Sequence, residues 1–258
     1  MSVVVIALNE ADNIRRCLGA FPRESEIIFV DSGSTDGTVE IAKSLGAIVF
    51  SRPFANYADQ KNFAIAKATR PWVLSLDADE EISPMLIESI FKTVMNPSAQ
   101  AAYRVTRQLV FMGKRMRFGK AIDRPIRLFR LGKANFTGSV HEELVIKEGG
   151  LAGEVLPGVL LHYSYRGLED YFVRFNQLTS MVAQKHLTTQ PTYKPNILRH
   201  CLRPFYEFTT RYFFRGGFLD GYPGFVYAVL GSFYAFIKYA KLLELHSLSR
   251  QAELARRG

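Results

Sequence analysis

Cysteine is scarce in this chain. Cys17 and Cys201 are far apart and in no metal-like spacing, which favours a reducing compartment without excluding others. There is one Trp against twenty Phe and twelve Tyr. No internal repeat and no low-complexity tract appears, which removes solenoids and disordered arrays. No apolar run clearly reaches membrane-spanning length: Gly221–Ile237 is seventeen residues without a charge, against the ~20 that a spanning helix needs. Glycine is missing from 8–13, directly after the first apolar run, where a nucleotidyltransferase usually carries a Gly-rich loop. Acids are almost missing from 104–133, with Asp123 alone against ten Lys/Arg. No recognised nucleic-acid motif accompanies that charge, so nucleic acid is a poor fit as partner. The first strand is expected from about Val3, which leaves no space ahead of it for a signal peptide.

What is present is a core and a division of charge. The 258 residues are 48% hydrophobic, enough for one large domain or one domain with an appendage. Residues 1–100 carry nine Lys/Arg and thirteen Asp/Glu, a balance of −4, whereas 101–258 carry twenty-four and eleven, a balance of +13. The second part is therefore expected to face something anionic.

The stretch that organises the chain is 72–81, W-V-L-S-L-D-A-D-E-E. Its apolar half suits a buried parallel strand. Its acidic half puts four carboxylates at that strand's C-terminal end, where open α/β sheets bind ligands. Asp-x-Asp there can hold one divalent cation with a substrate diphosphate completing the shell; the alternative is a solvated acidic start to the helix opened by Ser83-Pro84. Upstream, apolar runs at 3–7, 26–30 and 47–50 alternate with helical stretches through about Leu18, to about Leu45 and over 57–68. The short connections predict a mostly parallel α/β sheet with helices on both faces. The placeable strand ends carry Asn9 and Glu10, Asp31, and Asp77 with Asp79. Ser34, Thr35 or Asp36 can cap the helix after the second strand.

Three motifs in order, A-L-N-E-A-D-N-I at 7–14, V-D-S-G-S-T-D-G-T at 30–38 and L-D-A-D-E at 76–80, resemble the family 2 glycosyltransferases of GT-A fold. Further matches, A-D-Q-K-N-F-A-I at 58–65, R-L-F-R at 127–130 and G-S-V-H-E at 138–142, resemble the branch that includes the lipopolysaccharide-core β-glucosyltransferases. The resemblance covers about 2–165 well and the remainder weakly. It implies a catalytic domain at 1–165, with a nucleotide-sugar half at about 1–100 and an acceptor half at about 101–165, followed by a helical C-terminal region at 166–258. It implies that Glu10 and Asp31 bind the nucleoside of a nucleotide-diphosphate sugar, that Asp77 contacts the ribose or the metal shell, and that Asp79 ligates Mg2+ or Mn2+. Lys61 would meet the diphosphate or Asp77, unless it is an exposed helix lysine. The implied reaction inverts the anomeric carbon, so one general base is needed. Glu142 is the candidate, with Glu143 as fallback and His141 as an orienting partner. A zinc-protease reading of H-E fails because position 145 is Val.

The basic middle, with Arg127 and Arg130 foremost, reads as recognition of an anionic glycolipid acceptor such as phosphorylated lipopolysaccharide core, or else as a solvated hairpin. His162 is either a satisfied core histidine or a group that approaches the metal. Leu168–His186 reads as an amphipathic helix, and Pro191 and Pro195 mark a connector. Gly221–Ile237, with Tyr, Phe and flanking cations, reads as a helix lying at the inner-leaflet membrane surface, or as a core helix or oligomer contact. The expected protein is a cytoplasmic, peripheral, metal-dependent hexosyltransferase. The rivals are a nucleotidyltransferase and a non-catalytic glycan- or membrane-binding module.

Overall fold

A computed structural model describes residues 1–22, 24–138, 142–147, 152–189 and 196–257. His141, Pro191 and Pro195 lie outside the described residues. The chain forms two compact units, residues 1–110 with 123–164 and residues 111–122 with 165–258. The basic segment 111–122, read from sequence as part of the acceptor half, thus folds with the C-terminal helices.

The first unit begins with β1 (Ser2–Ala7), α1 (Ala11–Leu18), β2 (Glu26–Asp31), α2 (Thr38–Ser44), β3 (Ile48–Ser51), α3 (Tyr57–Ala66) and β4 (Trp72–Asp77). Branched, apolar β1, β2 and β4 pair in parallel in the order β2-β1-β4, with β3 beside β2. They are buried on both faces, as helix-covered parallel strands must be. The third helix stops two residues earlier than the sequence suggests, because Lys67 caps it through Ala64 and Ile65.

After Asp79 the chain does not run straight into a helix. Glu80–Ile82 forms a short strand, β5, and only then does α4 (Pro84–Val94) start, with Ser83 Oγ capping Leu86 N and Pro84 in the first turn. The sheet continues through β6 (Ala102–Phe111), β7 (Lys114–Arg115), β8 (Ile122–Asp123) and β9 (Ile126–Arg130). A separate antiparallel pair follows, β10 (Ala134–Thr137) with β11 (Glu143–Ile146), and then β12 (Val155–His162). The main order is β3-β2-β1-β4-β9-β6-β12-β5, with β9 and β5 antiparallel to their neighbours. Gly158 sits at a bulge in β12, at φ 98°, where a Cβ would lie 2.3 Å from the backbone of Leu86. Glycine there lets α4 pack directly against the sheet.

The second unit is helical. It contains α5 (Leu168–Thr189), α6 (Ile197–Thr209), a π-helical turn over 210–214, a 3-10 turn over 217–220, and α7 (Gly221–Arg257). The uncharged run expected at 221–237 is the first half of this 37-residue helix.

Candidate active site

The parallel register decides which acids meet. Ala7 pairs with Asp31, and Ile6 pairs with Asp77. Asp31 and Asp77 therefore end strands on either side of β1, about 10 Å apart at ordinary strand spacing. The same sheet edge receives the start of β9 with Arg127, the end of β12 with His162, and Glu80 beside it.

The loops after β1 and β2 are laced together. Asn9 N donates to Ser34 Oγ, Thr35 N to Asn9 Oδ1, Glu10 N to Thr38 Oγ1 and Ala11 N to Asp36 Oδ2. Asn9 holds a positive φ of 56°, tolerable for Asn at a tight approach. Asp36 is thus a tie between the two loops as well as the group that receives Thr38 N. The helix that follows is capped at Gly37 with no side-chain bond. Asp31 is buried at 4% exposure. Its Oδ2 receives Gly33 N and Ser34 N, while its Oδ1 is buried with no hydrogen-bond partner among the described residues. Glu10 accepts a hydrogen bond from Asn13 Nδ2 at 2.8 Å.

Three consecutive residues of α3 join the parts of the site. Gln60 donates to Ser32 Oγ and Arg52 O. Asn62 bonds the backbone of Phe136 in both directions. Between them Lys61, 2% exposed, places its Nζ 2.7 Å from Asp77 Oδ1 and 2.9 Å from Glu142 Oε1. A solvated helix lysine is excluded.

Asp77 is fully engaged. Its second oxygen lies 2.5 Å from Arg127, which also reaches Glu80 at 2.5 Å. Burial works against ionising Asp77, but Arg127, Lys61 and Arg107 outweigh it and hold the carboxyl well below its ordinary range. Glu80 is buried, accepts Asp77 N, and pairs with Arg107 at 3.2 Å. Arg107 also binds Asp123 through two nitrogens. Asp79 is separate: its Oδ2 stands 3.4 Å from His162 Nε2. Burial of His162 opposes its protonation, but the bond and charge of Asp79 outweigh this and raise its pKa above the usual value.

A cavity of about 330 Å³ opens at this edge, lined by Lys61, Asp77, Arg104, Arg107, Arg127 and Glu142, with Glu143 beside them. The structure thus brings Lys61, Asp77, Arg127 and Glu142 together, and sets Glu10, Asp31 and Asp79 on adjoining loops of the same edge. It does not bring Arg130 there. Arg130 pairs in register with Trp72, at the opposite end of β4 from Asp77, stacks on that ring at 4.7 Å, and donates to Ala99 O. Three residues along a strand also reverse the face. Neither Arg107 nor Glu80 has a role of its own in the sequence reading; nothing in the pattern separates Arg107 from the other cations of the basic middle.

The glycosyl transferase family 2 profile matches residues 2–143. This chain belongs to that family. The glycosyltransferase is 33% identical to an uncharacterised glycosyltransferase of Rickettsia typhi, over 97% of this chain and 89% of the relative. It is 30% identical to a lipopolysaccharide core biosynthesis glycosyltransferase of Rhizobium meliloti, over 96% and 93%. Its fold is similar to that of a mannosyltransferase from Pyrobaculum calidifontis solved with GDP-mannose and Mn2+, with a TM-score of 0.53 and 17% identity, covering 94% of this chain and 86% of that one. The fold is accordingly GT-A, α/β with a C-terminal helical extension.

Proposed function

We propose that this glycosyltransferase moves a hexose from a nucleoside-diphosphate donor to a membrane-associated anionic glycan, lipopolysaccharide inner core being the leading candidate, with inversion at the anomeric carbon. The observation that carries the reading is the convergence of Asp31, Asp77, Asp79 and Glu142 on one sheet edge. The orphaned Oδ1 of Asp31 is a ready acceptor for a nucleobase N–H or a ribose hydroxyl.

Asp77 is already neutralised by Lys61 and Arg127, so it is a poor holder of a further cation. Asp79 fits one better, since its carboxylate meets no Lys or Arg among the described residues and carboxylate oxygen suits Mn2+ and Mg2+, with His162 Nε2 3.4 Å away to orient it. Among the described residues no three acidic, Cys or His side chains are arranged to hold a metal ion by themselves, so substrate oxygens would complete the shell. A divalent ion held there would offset the charge that develops on the leaving diphosphate. Glu142 is positioned as the base that takes the proton from the attacking acceptor hydroxyl. Lys61 keeps that carboxylate aimed through their 2.9 Å contact until donor binding offers Lys61 the diphosphate instead. Arg104, Arg107 and Arg127 line the cavity and suit phosphate groups.

The relative from Rhizobium meliloti and the nucleotide-sugar complex of the structural neighbour support the acceptor and donor classes. A thermal-shift screen of nucleotide sugars with Mn2+, followed by product analysis, tests the reading. Release of free nucleoside diphosphate is expected; pyrophosphate release would instead establish nucleotidyl transfer.

A further inference from the structure

Helix α6 is inside out. Glu207, 5% exposed, is buried against Lys120, Arg203 and Arg211 at 2.6, 3.0 and 3.3 Å. His200 is buried and stacks on Tyr239 at 4.4 Å. The opposite face carries Leu198, Leu202, Phe205 and Tyr206 at i, i+4, i+7 and i+8, a stripe that a globular helix turns to its core. All four are exposed, Phe205 by 72%. Exposed apolar residues continue through the elbow, Phe213, Phe214, Phe218 and Leu219, to Tyr222 at the start of α7, with Phe214 exposed by 83%.

A basic belt adjoins that elbow. The Asp220 carboxylate accepts Arg117 N and Phe118 N, and Lys114 Nζ donates to Asp220 O at 2.7 Å. This ties the exposed Lys114, Arg115 and Arg117 to the 3-10 turn, with exposed Arg215 close by in the chain. Gly216 and Gly221 bracket the turn at positive φ, 67° and 65°, so the elbow is a built feature. Residues 111–122 and 196–222 hold eight Lys/Arg and two acids, Glu207 and Asp220, and both acids are buried.

We propose that the outward face of α6 and the 213–222 elbow form the membrane-docking surface, inserting aromatic side chains into the interface of an anionic leaflet while the belt meets lipid phosphates. This deepens the membrane part of the reading above and rests on it for the acceptor's location. Charge decides the occupant. A second copy packed symmetrically would set the basic belt against itself, whereas anionic lipid supplies the counter-charge. The docking surface does not require α7 to span. By length and composition the helical stretch 217–249 could cross a membrane, but α7 is a packing partner of α5. Phe233 stacks on Phe175 at 5.5 Å, and Lys241 Nζ binds Asn176, Thr179 and Ser180. A groove of about 380 Å³ on α6, lined by Leu198, Leu202, Arg203 and Tyr206 among others, suits an acyl chain with a phosphate near the guanidinium.

The full chain is tested by co-sedimentation with phosphatidylethanolamine vesicles with and without phosphatidylglycerol. Binding is expected to need phosphatidylglycerol and to weaken with salt. A Phe205→Ser, Phe214→Ser, Phe218→Ser triple variant should bind at least about tenfold more weakly. Replacing Arg115, Arg117 and Arg215 with Gln should cost about fivefold per charge. A Phe214→Trp variant should shift its emission to the blue on vesicles and be quenched by brominated lipid, a readout that does not depend on a destabilising change. An unshifted Phe214→Trp emission, undiminished vesicle binding by the triple variant, or a soluble dimer that the triple variant splits without any vesicle binding would each overturn the proposal. UDP or GDP binding with Mn2+ is measured alongside. Its absence in the parent protein with vesicle binding intact sinks the catalytic reading alone, and the reverse result sinks the docking surface alone.

Discussion

The two units bury opposite things. At the catalytic edge, α3 turns Lys61 inward among ionic partners, and Lys61, Arg107 and Arg127 form a linked set with Asp77, Glu80, Glu142 and the exposed Asp123. In the helical unit, α6 takes its one acid inward and leaves Leu and Phe outside. Desolvated ions are costly unless paired, so the first arrangement makes sense where an ionic ligand will enter. The second makes sense where the surroundings are themselves apolar and anionic. The lesson is that the direction in which a helix points its charges reports the medium it is built for.

The comparison can be broken at several points. Asp79→Ala should have the largest effect, a loss of at least about a thousandfold in turnover and of the response to Mn2+, read as nucleoside diphosphate released. Turnover that survives, or that stays metal-dependent, would remove Asp79 from the site. Glu142→Gln should keep donor binding while turnover falls about a hundredfold or more; equal losses in both would show that its bond to Lys61 matters only for folding. Arg127→Met removes the guanidinium that Asp77 and Glu80 share, leaving them only Lys61 and Arg107 and one charge stranded, and urea unfolding should show a loss of about 3 kcal/mol. Adding Glu80→Gln should restore part of it, because one stranded charge is then gone.

The smallest effect is expected in the helical unit. Burial opposes ionisation of Glu207, but Lys120, Arg211 and Arg203 outweigh it, so its folded pKa lies below the ordinary 4.5. A depressed carboxyl contributes stability above its unfolded pKa and loses it as pH falls through the folded value. Thermal melts of Glu207→Gln should therefore lose less stability than the parent on acidification below about pH 4.5.

Much of the first unit was legible in the chain. Branched runs ending in Asn9-Glu10, Asp31 and Asp77-Ala78-Asp79 announce parallel strands with acids at one edge, because strand period and β-branching are local properties. The stretch 57–68 also read as a helix carrying Lys61, though not that Lys61 would be buried between two carboxylates 16 and 81 residues away. Other readings failed for reasons of register. Arg127 and Arg130 look equivalent in R-L-F-R, yet pairing with β4 puts Arg127 at Asp77 and Arg130 at Trp72.

What the sequence determined by itself is the order of elements, the acid-tipped strands and the surplus of cations after residue 100, since each depends on neighbours within a few residues. What the tertiary structure decided is that Asp77 pairs with Lys61 and Arg127 while Asp79 stands beside His162, and that α6, with the elbow after it, presents an aromatic surface while part of the uncharged run of α7 packs inside its own unit. Pair formation and burial are properties of residues far apart along the chain, and only folding brings those residues to within a few ångströms.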